Sequence, residues 1–156
     1  MPPTQKPGRS KQDYATPPEF IAAVVERIGH HFALDIAASA ENTIAEKFYS
    51  EADDALDESK SWVYGEWAWL NPPFGKIAPW VRKASDEADH GVQIAMLVPA
   101  SVGSNWWSEW VHNRAHVLLL SPRLTFVGHR NPYPKDLALL LYTPYIRGGY
   151  DTWRWK

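Results

Sequence analysis

The sequence predicts an α/β domain in which a mostly parallel sheet is covered by helices on both faces. Three observations predict it. Short apolar runs with strand character alternate with segments of helical spacing, the pattern of successive strand–helix–strand units. The runs at 92–99, 116–120 and 137–142 are almost continuously apolar, as expected of strands buried on both faces. The runs at 62–70 and 92–99 are each closed by proline, which fixes φ and has no N–H to give a sheet. At 156 residues, 45% hydrophobic and 22% charged, the chain is long enough for one well-filled core.

In chain order, residues 1–12 are rich in Pro, Gly, Lys and Ser. They read as a flexible N-terminal arm carrying Lys6, Arg9 and Lys11, and 13–156 reads as a single compact domain. Thr16-Pro17-Pro18-Glu19 predicts a helix start, with Thr16 as N-cap, Pro17 in the first helical position and Glu19 completing a capping box. Phe20, Ala23, Val24 and Ile28 follow at helical spacing until Gly29 ends the helix. Tyr14 and Thr16 then stand beside a helix N-terminus, which favours a carboxylate or phosphate.

A strand is expected at 32–39, with Asp35 near its end because a buried carboxylate needs a partner. The small residues after it allow a ligand to approach the backbone. A second strand at 46–49 leads into Glu51, Asp53 and Asp54, acids placed to hold a ribose hydroxyl or an adenine amine. The run at 62–70 is the third strand. A helix follows from Ile77 to about Ala88, then a strand at 92–99 and a helix at 104–112 bearing Trp106, Trp107 and Trp110. Strands at 116–120 and 137–142 complete the pattern.

The chain is organised around Asn71-Pro72-Pro73-Phe74, where the third strand stops. The residue before a proline is driven out of the α region, so Asn71 is held extended at the strand's carboxyl end, where open α/β sheets bind ligands. The corner offers a carboxamide, the Pro72 carbonyl and an aromatic ring. An exocyclic amine on an aromatic ring is a poor nucleophile because its lone pair is delocalised. The Asn71 oxygen and the Pro72 carbonyl can take its two hydrogens and draw the nitrogen toward tetrahedral geometry. Phe74 can stack on the ring that carries the amine, a contact worth about 1–3 kcal/mol per base.

Other chemistries find no support. The absence of Cys excludes a disulfide framework and thiolate chemistry, and the scattered His give no metal spacing, so no metal is expected. No apolar run approaches the roughly 20 residues of a membrane helix, and the N-terminus has no hydrophobic leader, so a cytoplasmic setting is expected. The net charge of −2 argues against non-specific coating of nucleic acid. DNA contact must come from a local patch. The stretch 121–135 supplies one, with Arg123, Arg130 and Lys135 interleaved with Phe126 and Tyr133, and Lys76 lies two residues past the corner.

Over residues 13–142 the chain resembles the phage-type, Dam-like DNA N-6-adenine methyltransferases. The resemblance is carried by 14–17, by Leu34-Asp35-Ile36-Ala37-Ala38 with Asn42, and by 69–75. It continues through Leu97-Val98-Pro99-Ala100 ahead of Trp106-Trp107, and ends with Arg123-Leu124-Thr125-Phe126. It implies a Rossmann-like methyltransferase fold with S-adenosylmethionine as donor and adenine in DNA, flipped from the helix, as acceptor. It implies catalytic roles for Asn71, Pro72, Pro73 and Phe74, and donor contacts from Tyr14, Thr16, Pro17, Asp35, Ala37, Ala38, Asp54 and Asn71. It also implies a bacterial host cell as the setting, with a phage or prophage as source. The turn Ala37-Ala38-Ser39 lacks the glycines usual in broader methyltransferases. Methylation of a protein glutamine or of RNA would suit the same corner, and a catalytically inactive DNA- or nucleotide-binding module is the remaining alternative. DNA target and oligomeric state are not written in the sequence.

Overall fold

Seven strands form one sheet among residues 14–156, which are those that the computed structural model describes; the arm read at 1–12 and its boundary at residue 13 lie outside them. The strands are β1 (Leu34–Asp35), β2 (Lys47–Phe48), β3 (Trp67–Leu70), β4 (Gln93–Pro99), β5 (His116–Ser121), β6 (Leu137–Tyr142) and β7 (Tyr150–Arg154). Their order in the sheet is β2-β1-β3-β4-β6-β5-β7. All neighbours pair in parallel except β6, which runs antiparallel between β4 and β5.

The continuous apolar run of β4 is explained by what covers it. Side chains alternate across a strand. Ile94, Met96 and Val98 pack with Val81, Ala84 and Ala88 of α2 (Ala78–Asp89) and with Trp107 of α3 (Asn105–Trp110). Ala95 and Leu97 pack on the opposite face with Phe20 and Val24 of α1 (Pro18–Ile28). Helices on both faces of a mostly parallel sheet make this the expected Rossmann-like α/β architecture.

Four local readings change. The helix α1 starts one residue late: Pro17 is its N-cap, Pro18 opens it, and no side chain caps it, because the Thr16 hydroxyl is engaged elsewhere. Gly29 does end it, at φ 77°, donating its N–H to the Val25 carbonyl. The third strand is only Trp67–Leu70. Trp62 stands outside the sheet, fully buried, with its indole N–H on the Ala55 carbonyl at 3.0 Å. No helix joins β1 to β2 or β2 to β3. Finally, β7 was not legible. Its exposed, polar sequence is an edge strand held by β5, with Trp153 packed near Phe20 and under the Arg27 guanidinium.

The break between Trp62 and Trp67 rests on Gly65, at φ 67°, where an added Cβ would lie 2.4 Å from the Ala33 Cβ. Gly65→Ala is expected to lower stability by about 1–3 kcal/mol or more, since a left-handed conformation and a clash add together. Urea unfolding measures this. Ala33→Gly in the same background should recover the steric part and leave the conformational part.

Candidate active site

Pairing of Asp35 with Trp69, and of Trp69 with Ala95, sets the carboxyl ends of β1, β3 and β4 side by side. Asn71 follows β3 on that edge. Its amide nitrogen donates to the Tyr14 carbonyl at 2.6 Å and to the Thr16 hydroxyl at 3.0 Å. Both amide hydrogens are therefore consumed, and a flipped amide would set its oxygen against the Tyr14 carbonyl. The Asn71 Oδ1 is thus fixed as an acceptor, and it is buried with no partner. Phe74 stands beside it, half-buried, its ring stacked on Tyr14 at 5.4 Å.

A cleft of about 250 Å³ opens next to the corner. Its floor is the turn Ala37-Ala38, which needs no glycine: neither residue has a positive φ, and the Asn42 Oδ1 accepts the Ser39 N–H at 2.8 Å. Ile36, Leu56 and Trp80 contribute apolar surface to its lining, and Glu51 and Asp54 contribute acids. Ala55, also in the lining, is held by a lysine of α2. The Lys83 ammonium donates to the carbonyls of Ala55, Asp57 and Lys60 at 2.9, 2.8 and 2.6 Å and lies over the Trp62 ring.

Asp35, 2% exposed, ends β1 between this cleft and the corner. Its Oδ2 accepts the Ile44 N–H at 3.0 Å, while its Oδ1 has no partner. Burial pushes the carboxyl up to about 7, with backbone hydrogen bonds offsetting only part of the effect. Asp35 and Asn71 both line a small polar cavity of about 20 Å³, the size of one water or one ammonium group. Two buried oxygens without hydrogen-bond partners, Asp35 Oδ1 and Asn71 Oδ1, suit an amine or ammonium ligand.

The structure brings together Tyr14, Thr16, Asp35, Ala37, Ala38, Asp54, Asn71 and Pro73 around these two cavities. It leaves Pro17 outside them: Pro17 caps α1, accepting the N–H groups of Phe20 and Ile21. Of the acids left open after β2, Asp53 turns away to the Ser50 N–H and hydroxyl, so Glu51 and Asp54 are the ones facing the cleft. Lys76 stands on the cleft rim rather than with the basic loop. In that loop Arg123 is paired with Asp136 at 3.0 Å, whereas Arg130 and Lys135 are exposed and have no partner among the described residues. Sequence reasoning missed Leu56 and Trp80. A tryptophan in the first turn of the helix after the corner was the available signal, but its spacing equally suited the core.

No cluster of three or more His, Asp or Glu able to hold a metal occurs among the described residues, and none of their helices is long and apolar enough to cross a membrane. The model of the family described as DNA N-6-adenine-methyltransferase (Dam) matches residues 4–137. A curated relative, DNA N-6-adenine-methyltransferase of Escherichia phage T1, is 36% identical over 133 residues, covering 85% of this chain and 55% of that protein. The chain therefore spans about half the length of this relative. A crystal structure of a predicted O-methyltransferase from Agrobacterium tumefaciens superposes with a TM-score of 0.43 and 14% identity, covering 86% of this chain and 84% of the other; a likeness this distant says nothing about the site.

The raised Asp35 carboxyl fixes the sign of a pH effect. Between about pH 4 and 7 the folded state holds a proton that the unfolded chain releases, so stability falls as pH rises through this window. Asp35→Asn removes the effect. Urea unfolding is expected to show variant and wild type close together near pH 4, with the variant pulling ahead toward pH 8. A constant difference across that range would mean that Asp35 is not desolvated in the folded protein.

Proposed function

Since the chain belongs to the DNA N-6-adenine-methyltransferase (Dam) family, we propose that it transfers a methyl group from S-adenosylmethionine to the N6 amine of adenine in DNA. The observation that carries this reading is the Asn71 Oδ1, buried, fixed as an acceptor and without a partner, at the carboxyl edge of β3 beside a cleft walled by acids and a tryptophan.

The donor's chemistry suits the residues present. When bound, S-adenosylmethionine supplies a methyl group on a cationic sulfur, which leaves as a neutral thioether with the bond's electron pair. Asp35 and the small cavity suit its ammonium group, Glu51 and Asp54 its ribose hydroxyls, and Ile36, Leu56 and Trp80 its adenine ring. Asn71 and the Pro72 carbonyl take the hydrogens of the acceptor amine. This holds the nitrogen lone pair out of the ring's π system and stabilises positive charge on nitrogen as the new bond forms. A strong base is unnecessary, because the methylated amine is acidic until its proton departs to solvent.

DNA is favoured over a peptide amide by the loop 122–136, where Arg130 and Lys135 flank Tyr133. An extruded base costs a few kcal/mol to unstack, and an aromatic surface beside the acceptor offsets that cost. The phage-borne relative supports a bacterial cell as the setting, with phage or host DNA as substrate.

Single-turnover transfer of labelled methyl groups to DNA of mixed sequence tests the reading. Asn71→Ala is expected to lower the rate about 10²-fold or more with little loss of donor or DNA affinity, because its hydrogen bond strengthens in the transition state. Thr16→Val should act in the same direction and less strongly, by freeing the Asn71 amide. A folded Asn71→Ala protein that methylates adenine at the wild-type rate would end this mechanism. For DNA affinity, Arg130→Ala with Lys135→Ala should reduce the log–log salt slope by about 0.9 per lost phosphate contact. Arg123→Ala should change it less, since that side chain is already paired with Asp136.

A further inference from the structure

The Tyr14 ring makes two near-parallel stacks, on Phe74 at 5.4 Å and 16° and on His129 at 5.7 Å and 17°. Phe126 and Tyr133 meet it edge-on, at 5.3 and 5.6 Å. Tyr14 therefore fills an aromatic box and covers Phe74, the ring assigned to the acceptor base. The acceptor oxygen of Asn71 is covered as well, since it is buried and has no partner. Both groups that an incoming adenine needs are closed in the same conformation, and something must move to open them.

The Tyr14 backbone is anchored by hydrogen bonds, whereas its side chain is held by ring contacts. Its carbonyl is hydrogen-bonded by Asn71, and the next carbonyl, of Ala15, by the Val127 N–H at 3.0 Å. The ring is only half-buried and, among the described residues, makes ring contacts alone. Rotation about χ1 can withdraw it without disturbing the Asn71 anchor.

We infer that the box formed by Phe74, Phe126, His129 and Tyr133 is the acceptor-base subsite, and that the Tyr14 ring occupies it as a stand-in until an extruded adenine displaces it. The inference rests on the reading of the corner as an amine site. The physical advantage is that one stack replaces another. An empty slot walled by aromatic rings would collapse or hold ill-satisfied water, whereas a planar placeholder keeps the walls at the spacing a base requires.

Deoxyadenosine at millimolar concentration is the probe, read by saturation-transfer NMR with the donor cleft occupied by S-adenosylhomocysteine. Tyr14→Ala should bind it at least about fivefold more tightly than wild type, the lower end of what one base–aromatic stack contributes. Adding Phe74→Ala or His129→Ala should abolish the gain. No gain in Tyr14→Ala, or a gain that survives Phe74→Ala, overturns the proposal.

A second measurement leaves the packing intact. In protein carrying 3-fluorotyrosine, the Tyr14 resonance, assigned with Tyr14→Phe, should move to a solvent-exposed position on saturation with an adenine-rich oligonucleotide. It should stay in place with an oligonucleotide whose adenines are abasic sites. A resonance unmoved by either, or moved by both alike, counts against the stand-in. Failure of the wild type to methylate any DNA, with these binding results intact, would instead remove the enzymatic reading and leave a nucleobase site.

Discussion

The orientation of one carboxamide is the constraint on which the site depends. Asn71 can serve an amine only if its oxygen, not its nitrogen, faces the acceptor, and a free amide does not choose. The choice is made by the Tyr14 carbonyl and the Thr16 hydroxyl, 57 and 55 residues away in the chain. The segment 14–16 also gives the Ala15 carbonyl to Val127. A single three-residue stretch therefore ties the corner after β3 to the loop between β5 and β6. The cost is visible in the helix that follows, since a hydroxyl that holds Asn71 is not available as the N-cap of α1.

Topology places that loop where it is useful. Because β6 runs antiparallel between β4 and β5, the chain leaves β5 at the carboxyl edge of the sheet and re-enters through β6 from the same edge. The connection 122–136 lies over the corner as a consequence. Its apolar side chains, Leu124 and Phe126, are buried beneath it, and Arg130 and Lys135 are left outward.

The small polar cavity has unmet hydrogen-bonding capacity. Asp35 Oδ1 and Asn71 Oδ1 are buried without donors, and an unsatisfied buried group costs about 1–3 kcal/mol. That deficit is recovered by any ligand bringing N–H groups or positive charge. The Lys83 ammonium is committed elsewhere: it has its three hydrogens on three backbone carbonyls and braces the lining of the larger cleft.

Much of this was written in the sequence. Prolines 72, 73 and 99 stop strands wherever they occur, so the positions of the corner and of the edge followed from covalent chemistry. The apolar run 94–98 of β4 has the composition of a strand covered on both faces, and Asp35, a carboxylate in an apolar run, suited a strand end. These are local or compositional constraints, and they survive folding unchanged. What the sequence could not settle depended on partners distant in the chain. Thr16 had the composition of a cap and the geometry of an anchor. Asp53 matched its neighbours until a turn bound it to Ser50. Lys76 belonged with the basic residues until the chain after Pro73 carried it to the cleft. Strand β7 had no apolar signature because a sheet edge needs only one neighbour. In each case the residue type permitted several bonds, and only the tertiary structure, by fixing which group lay within about 3 Å, selected one of them.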